Sequence, residues 1–258
     1  MKVVLLGSGN VATHIGRAIH NSPHTLVQVY NRSIENGEKL AQELHCEYIQ
    51  DIKDLVKKAD LYIISIKDDA LEGFIEQMPV VNGIVVHTAG SKPMNILRKF
   101  PSHGILYPLQ TFSKQRSLDF KNIPLCLEAD SESSLSSLKG IAKDLSNSIE
   151  FVDSDKRLTL HIAAVIVCNF PNFLFTMADD FLDKHNLSFE ILKPLIGETV
   201  DKVKESPPGT VQTGPARRGD KKTIEKHLKF LSENEKLGKL YRFVSNMIDE
   251  YYNHPDNS

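Results

Sequence analysis

The sequence has no tryptophan and only three cysteines among its 258 residues. Cys46, Cys126 and Cys168 are odd in number and widely spaced, with no CxxC pair. That pattern excludes a disulfide framework and a paired-cysteine zinc site, and it fits reduced thiols in the cytoplasm. An excess of charge is also lacking. With 31 basic against 33 acidic residues the net charge is −2, so no general attraction to nucleic acid or anionic lipid is expected. The apolar start Val3-Val4-Leu5-Leu6 meets Gly7-Ser8-Gly9 at once, too short for the apolar region of an export signal. Only Leu158–Ala178 forms a long uncharged run, 178 − 158 + 1 = 21 residues, enough to span a bilayer. His161, Asn169, Pro171 and Asn172 within it are costly in lipid, and they point to a buried helix of a soluble domain instead. The ten histidines form no ligand spacing with acidic or cysteine partners, and no nucleophile elbow occurs, so no metal is expected and covalent catalysis has no support.

What is present is an ordinary globular composition, 41% hydrophobic and 25% charged. At about 150 residues per domain the length predicts one standard domain and a smaller partner. Near-continuous apolar strands are expected at Val3–Leu6, Leu26–Tyr30, Leu61–Ile66 and Ile84–His87, the pattern of a parallel sheet covered on both faces. Ile105–Tyr107, Ile123–Leu127 and Ile149–Val152 extend it, giving a Rossmann-type α/β sheet, mostly parallel, of about eight strands. Helical spacing appears first at Val11, Ile15, Ala18 and Ile19, then in Ser33–Leu44 and Ser134–Leu145. After Asp153 only helical periodicity is found, in Ile162–Phe181, Phe189–Val203, Ile224–Leu231 and Leu237–Ile248. The division therefore falls at residues 1–152 for the dinucleotide-binding domain and 153–258 for an all-α C-terminal domain.

Gly7-Ser8-Gly9-Asn10-Val11-Ala12 is a GxGxxA turn between a strand and a periodic helix, the context in which that pattern binds a pyrophosphate. The second strand ends in Asn31-Arg32-Ser33, where an NAD enzyme usually has a carboxylate for the ribose. Arg32 can pair with a 2′-phosphate and Ser33 can donate to it, so NADP is expected over NAD. The loops Ser65-Ile66-Lys67-Asp68 and His87-Thr88-Ala89-Gly90-Ser91 follow two further strands and should face the same cofactor, with Ser65, Ile66, Lys67, Thr88, Ala89 and Gly90 as its contacts, while the Lys67 and Asp68 side chains read as solvated. His87 is either functional or held by neighbours; Thr88 and Ser91 are hydroxyl donors near a ribose or nicotinamide.

These segments, with Tyr107-Pro108-Leu109-Gln110-Thr111-Phe112 and Thr213-Gly214-Pro215-Ala216-Arg217-Arg218-Gly219-Asp220, resemble an uncharacterised Rossmann-like group that carries a helical C-terminal domain of unknown function. That group is similar to pyrroline-5-carboxylate reductase, the deazaflavin-dependent NADP reductases and the 6-phosphogluconate dehydrogenase-like superfamily. The resemblance implies an NADP domain, a helical domain that pairs two copies into a homodimer, and a substrate site between the domains. It also exposes a departure. Hydroxyacid dehydrogenases of the superfamily place a lysine one helical turn before an asparagine, whereas Val165 occupies that position relative to Asn169 here. His161, two turns before Asn169, is then either a general acid or, equally, a satisfied polar group of the helix core.

Gln110, His161 and Asn169 are accordingly the catalytic candidates, and Ser91, Thr111, Arg217 and Arg218 the substrate-binding ones. The two arginines precede a helix capped by Asp220 and suit a carboxylate or phosphate, with a structural ion-pair role as the even alternative. The function expected is hydride transfer between NADP(H) and a small, anionic carbonyl or imine. A dinucleotide-binding sensor or scaffold without turnover is the alternative, favoured by the missing lysine.

Overall fold

The computed structural model of the chain describes residues 1–254. These residues form eight strands in one sheet: β1 (Lys2–Leu6), β2 (Thr25–Tyr30), β3 (Glu47–Ile49), β4 (Leu61–Ile64), β5 (Ile84–His87), β6 (His103–Pro108), β7 (Leu125–Ala129) and β8 (Ile149–Phe151). The order is β3-β2-β1-β4-β5-β6-β7-β8, parallel at every pairing except the antiparallel β6–β7 pair. Because the chain leaves β1 toward β2 and returns on its other side at β4, a crevice opens beyond the carboxyl ends of these two strands.

Helices α1 (Asn10–His20), α2 (Ile34–Glu43), α3 (Asp68–Gln77) and α4 (Glu132–Leu145) cover the sheet. Successive strand residues point to opposite faces, so Val3 and Leu5 pack with Ile15 and Leu138 on one side while Val4 and Leu6 join the cluster of Leu71 and Phe74 on the other. The four apolar residues of β1, Val3 to Leu6, are fully buried, each worth about 1.5–3 kcal/mol of transfer free energy. This double burial explains why the strands read as apolar runs rather than alternating ones. The edge strand β3 and helix α3 were not marked by the sequence pattern; β3 is three residues long and only Ile49 of it is buried.

No strand follows Phe151 among the described residues. Helix α5 (Ser154–Ala164) runs through a π-helical turn, Val165–Asn169, into α6 (Phe170–Asp183), and α7 (Lys193–Glu205), α8 (Lys221–Phe230) and α9 (Glu235–Asn253) follow. The chain divides into two compact units at Phe170/Pro171 rather than at the change of periodicity after Val152. Residues 154–170 belong with the sheet because Arg157 is anchored there, its guanidinium 2.5 Å from Glu128 of β7 and 2.5 Å from the Lys92 carbonyl.

One expectation is overturned. The uncharged helix was read as buried, yet Ile162, Val167, Phe170 and Phe173 are 53%, 68%, 56% and 60% exposed in the single chain. The stretch Ser154–Asp183 is long and apolar enough to cross a membrane by length and composition, and none of its apolar window is buried. The physical reason is geometric. Arg157, Leu160 and His161 meet β6 and β7, while Ile162, Ile166, Val167, Phe170 and Phe173 point away and are left exposed in the single chain.

Candidate functional site

The site begins at Gly7. Its backbone is at φ +128°, its amide donates to the Tyr30 carbonyl at 2.8 Å, and a Cβ there would sit 2.1 Å from the Ser65 carbonyl oxygen. Only glycine lets the ends of β1, β2 and β4 close this tightly. Helix α1 starts three residues later, capped by Gly9, so its first unpaired amides face the crevice.

At the end of β2 a short hydrogen-bonded bracket fixes the turn. The Asn31 amide donates to the Ser33 carbonyl at 2.9 Å, Asn36 donates to Ser33 Oγ at 3.1 Å, and the Tyr48 hydroxyl donates to the Asn31 carbonyl at 3.1 Å. Arg32 between them is exposed and joins none of the ion pairs among the described residues. A guanidinium on a braced turn, without a protein carboxylate, is available to an anion.

The β4 and β5 loops are locked together: Thr88 Oγ1 donates to Ser65 Oγ at 3.1 Å, and Ser91 Oγ donates to the Asp68 carboxylate. His87 is wholly buried. Its Nδ1 accepts from the Ala89 amide at 3.2 Å and its Nε2 lies 3.4 Å from the Pro93 carbonyl, while burial pushes its pKa down to about 4. A neutral imidazole with both nitrogens engaged shapes the Thr88–Pro93 loop, which resolves its two possible roles in favour of the structural one.

Every residue expected to touch the dinucleotide lines one cleft of about 820 Å³: Gly7, Ser8, Gly9, Asn10 and Val11, then Asn31, Arg32 and Ser33, Ser65, Ile66 and Lys67, and Thr88, Ala89 and Gly90. Asp68, on the loop expected to face the cofactor, lines it too, as do Asn36, Tyr107 and Lys114, which had no assigned contact with it. Lys114 belongs to an irregular loop that side chains of α1 hold in place. Asn10 Nδ2 donates to the Phe112 carbonyl at 2.9 Å, His14 Nε2 meets the Ser113 carbonyl at 2.9 Å, and Arg17 reaches the Lys114 carbonyl at 3.4 Å.

A second recess of about 560 Å³ adjoins the first. Leu109, Gln110, Thr111 and Phe112 form one wall and Leu160, His161, Ala164, Val165 and Asn169 the other. Asn10, Val11, Tyr107, Gln110 and His161 line both spaces. The π-helical turn starts one turn after His161 and ends on Asn169, a widened turn of the kind often found at functional sites, and both residues line the recess. Tyr107 Oη is 3.1 Å from His161 Nδ1, and burial pushes the phenol up to about 12. Val165 lies on the recess wall at the start of the widened turn.

Three of the expected substrate residues are not among those that line these two spaces. Ser91 lines neither space, since its hydroxyl is taken by Asp68. Arg217 and Arg218 lie in the second unit, where the Arg217 guanidinium stacks 4.7 Å from the Tyr252 ring and reaches Asn253 Oδ1 at 3.5 Å. Arg218 is exposed, and Asp220 caps α8 by accepting from the Thr223 hydroxyl and amide, bonds that hold its carboxyl below the usual carboxylate range.

The class defined by this sheet order and glycine turn is the Rossmann-type dinucleotide-binding fold with a helical C-terminal region. The comparisons agree. Residues 123–248 match a domain of unknown function, DUF2520, and residues 1–78 match the shikimate/quinate 5-dehydrogenase family. The structure of the putative NADP oxidoreductase from Bacteroides fragilis is similar to this chain at 43% identity and a TM-score of 0.89, covering 96% of this chain and 98% of its own. The chain belongs to the family of that Bacteroides protein. Two more distant structures share the fold: 1-pyrroline-5-carboxylate reductase from Streptococcus pyogenes, 15% identical over 97% of this chain and 98% of its own, and an imine reductase from Myxococcus stipitatus in complex with NADP+, 14% identical over 100% and 94%, both with a TM-score of 0.65. No curated protein matches the sequence.

Proposed function

We propose that the protein is an NADP-dependent oxidoreductase that reduces, or forms, a carbonyl or imine group held in the recess beside the cofactor cleft. The single observation that carries this is the junction of the two spaces at Tyr107, Gln110 and His161: a dinucleotide laid along Gly7–Val11 and Arg32 would reach a second pocket through a boundary lined by polar groups. The cleft suits the group on its own terms, since Gly9 has nothing within 4 Å of its Cβ position and the α1 amides face it. Bound there, NADP(H) would supply or take up the hydride. Gly7, Ser8 and Gly9 would hold its pyrophosphate, Arg32 and Ser33 its 2′-phosphate, and Thr88 and Gly90 would flank the nicotinamide half. Gln110, Asn169 and Thr111 would orient the substrate.

The test is oxidation of NADPH with small carbonyl and imine probes, together with titration by NADPH and NADH. Turnover with a preference for NADPH that Arg32→Ala removes is the expected result. Tight NADPH binding with no turnover of any probe would instead favour a sensor, for which Val165 in place of the lysine is the supporting observation.

An anionic substrate remains part of the proposal through Arg218, since Arg217 is already engaged by Tyr252 and Asn253. Arg218→Ala should weaken a carboxylate-bearing probe and leave NADPH affinity unchanged. The apolar, exposed faces of α5, α6 and the second unit support a homodimer through the helical region, readable by light scattering. The three free thiols, Cys46, Cys126 and Cys168, support a cytoplasmic setting.

A further inference from the structure

Among the five residues common to the cleft and the recess, two can give up a proton, Tyr107 and His161. Asn10 and Gln110 carry amides, which only hydrogen-bond, and each is already engaged, Asn10 by the Phe112 carbonyl and Gln110 by the Thr111 amide. Tyr107 is the penultimate residue of β6 and His161 sits one turn after the anchored Arg157 on α5, so a sheet strand and a helix fixed to that sheet bring the pair together. Their rings meet edge to face, with centroids 6.1 Å apart at 76°, and the hydroxyl reaches Nδ1 at 3.1 Å. A third segment completes the arrangement. A Cβ on Gly90 would lie 2.6 Å from His161 Nδ1, so the imidazole rests directly on the loop that borders the cofactor cleft.

We propose that the Tyr107 hydroxyl is the proton donor of the reduction and that His161 is the positioning residue that holds and recharges it; the proposal rests on the oxidoreductase reading above. The substrate carbon gains the hydride that the dinucleotide supplies, the C=O or C=N π pair moves onto the heteroatom, and that atom takes the Tyr107 proton as the phenolic O–H bond breaks. The phenolate then takes the Nδ1 proton of a doubly protonated His161 imidazolium, which becomes the neutral imidazole and, partly open to solvent, regains a proton from it. Burial makes an isolated phenol here a weak acid, and a directly bonded N–H that stabilises the phenolate offsets that cost. The same arrangement explains how the chain would manage without a lysine at Val165, since the donor enters from β6 on the opposite wall.

The test uses the full chain with NADPH and two neutral probes, cyclohexanone and the cyclic imine pyrroline. Tyr107→Phe should lower kcat by about 100-fold or more, the range of a lost general acid, with KM and the NADPH Kd changed by less than about twofold. His161→Ala should fall comparably, and His161→Gln, whose amide N–H can still reach the hydroxyl, should recover about tenfold of that loss. A readout independent of turnover is the ¹⁵N spectrum of histidine-labelled protein without dinucleotide, in which the His161 Nδ1 signal should move in Tyr107→Phe. Turnover by the wild type with kcat of Tyr107→Phe within about threefold, or an unmoved Nδ1 signal, overturns the donor and leaves the oxidoreductase standing. No oxidation of NADPH by the wild type with either probe overturns both.

Discussion

The two units of this chain use the same kinds of side chain to opposite effect. In the first, β1 is buried on both faces, loops are tied by side-chain hydrogen bonds, and even an arginine, Arg157, is enclosed. In the second, Ala216, Leu231 and Ser245 are the buried residues among those described, while Leu195, Phe230, Phe243 and Tyr251 are each more than 60% exposed. Local geometry is good in both, with Asp220 and Asn234 capping α8 and α9 as well as Asp153 caps α5. Capped helices are therefore not what separates them. A helix gains most of its stability from packing its apolar stripe, and the helices of the second unit, although they pack on one another, leave much of that stripe uncovered in the single chain.

The largest expected effect probes how self-sufficient the first unit is. Replacing Arg157 by alanine strands Glu128 and removes the bond to the Lys92 carbonyl, and losing one member of a buried pair costs about 3–5 kcal/mol. Denaturant unfolding of Arg157→Ala should show that loss in the sheet unit and a KM increase as His161 loses its anchor. A loss below about 1 kcal/mol would mean that α5 is held by something other than this pair.

His87 gives the next effect, through pH. Its folded pKa of about 4 lies below the ordinary 6.5, so between those values the unfolded chain binds the proton that the folded one refuses. Stability is then full above about pH 6.5 and falls as the pH drops through 4, by about 3 kcal/mol in all, since each tenfold loss of proton affinity on folding is worth about 1.4 kcal/mol. His87→Gln should flatten that acid limb. An unchanged limb would assign the acid sensitivity to other groups.

Binding at the first unit comes third. Arg32→Ala should weaken NADPH by about tenfold or more, the scale of a charge-assisted bond of about 1.5–3 kcal/mol, and leave NADH and the state of association unaltered. Equal losses for both dinucleotides would place Arg32 away from the 2′-phosphate.

How legible these regions were in the sequence follows from where their constraints lie. The cofactor cleft is built from glycines and strand ends whose roles are local, so Gly7, Arg32 and Thr88 could be placed from neighbours in the chain alone. Tyr107 could not be given a role this way. Its partner is 54 residues distant and its meaning arises only when β6 and α5 come together, although the Tyr107–Phe112 motif marked the place. Ser91 was read as an open hydroxyl donor, and its partner Asp68, on the loop of a different strand, could not be seen from its neighbours in the chain. The helix Leu158–Ala178 was recognised by its lack of charge, but apolar sequence shows only that a surface must be covered and not that the same chain covers it.

That last point yields the smallest effect and the sharpest test of the comparison. If a second copy covers α6 and the second unit, their folding is coupled to association, and stability there depends on protein concentration by mass action. Each tenfold dilution then removes about 1.4 kcal/mol from the helical unit and nothing from the sheet. Thermal unfolding followed at two probes should separate the units: a helical signal whose midpoint falls on dilution, and a sheet signal that stays fixed. Phe173→Asp, on the exposed face of α6, should bring the helical midpoint at high concentration down to its dilute value, because burying a carboxylate in that seam is costly while exposing it is not. A helical transition independent of concentration in both proteins would mean that the second unit folds without a partner, and its exposed phenylalanines would then have to be explained by something other than a second copy.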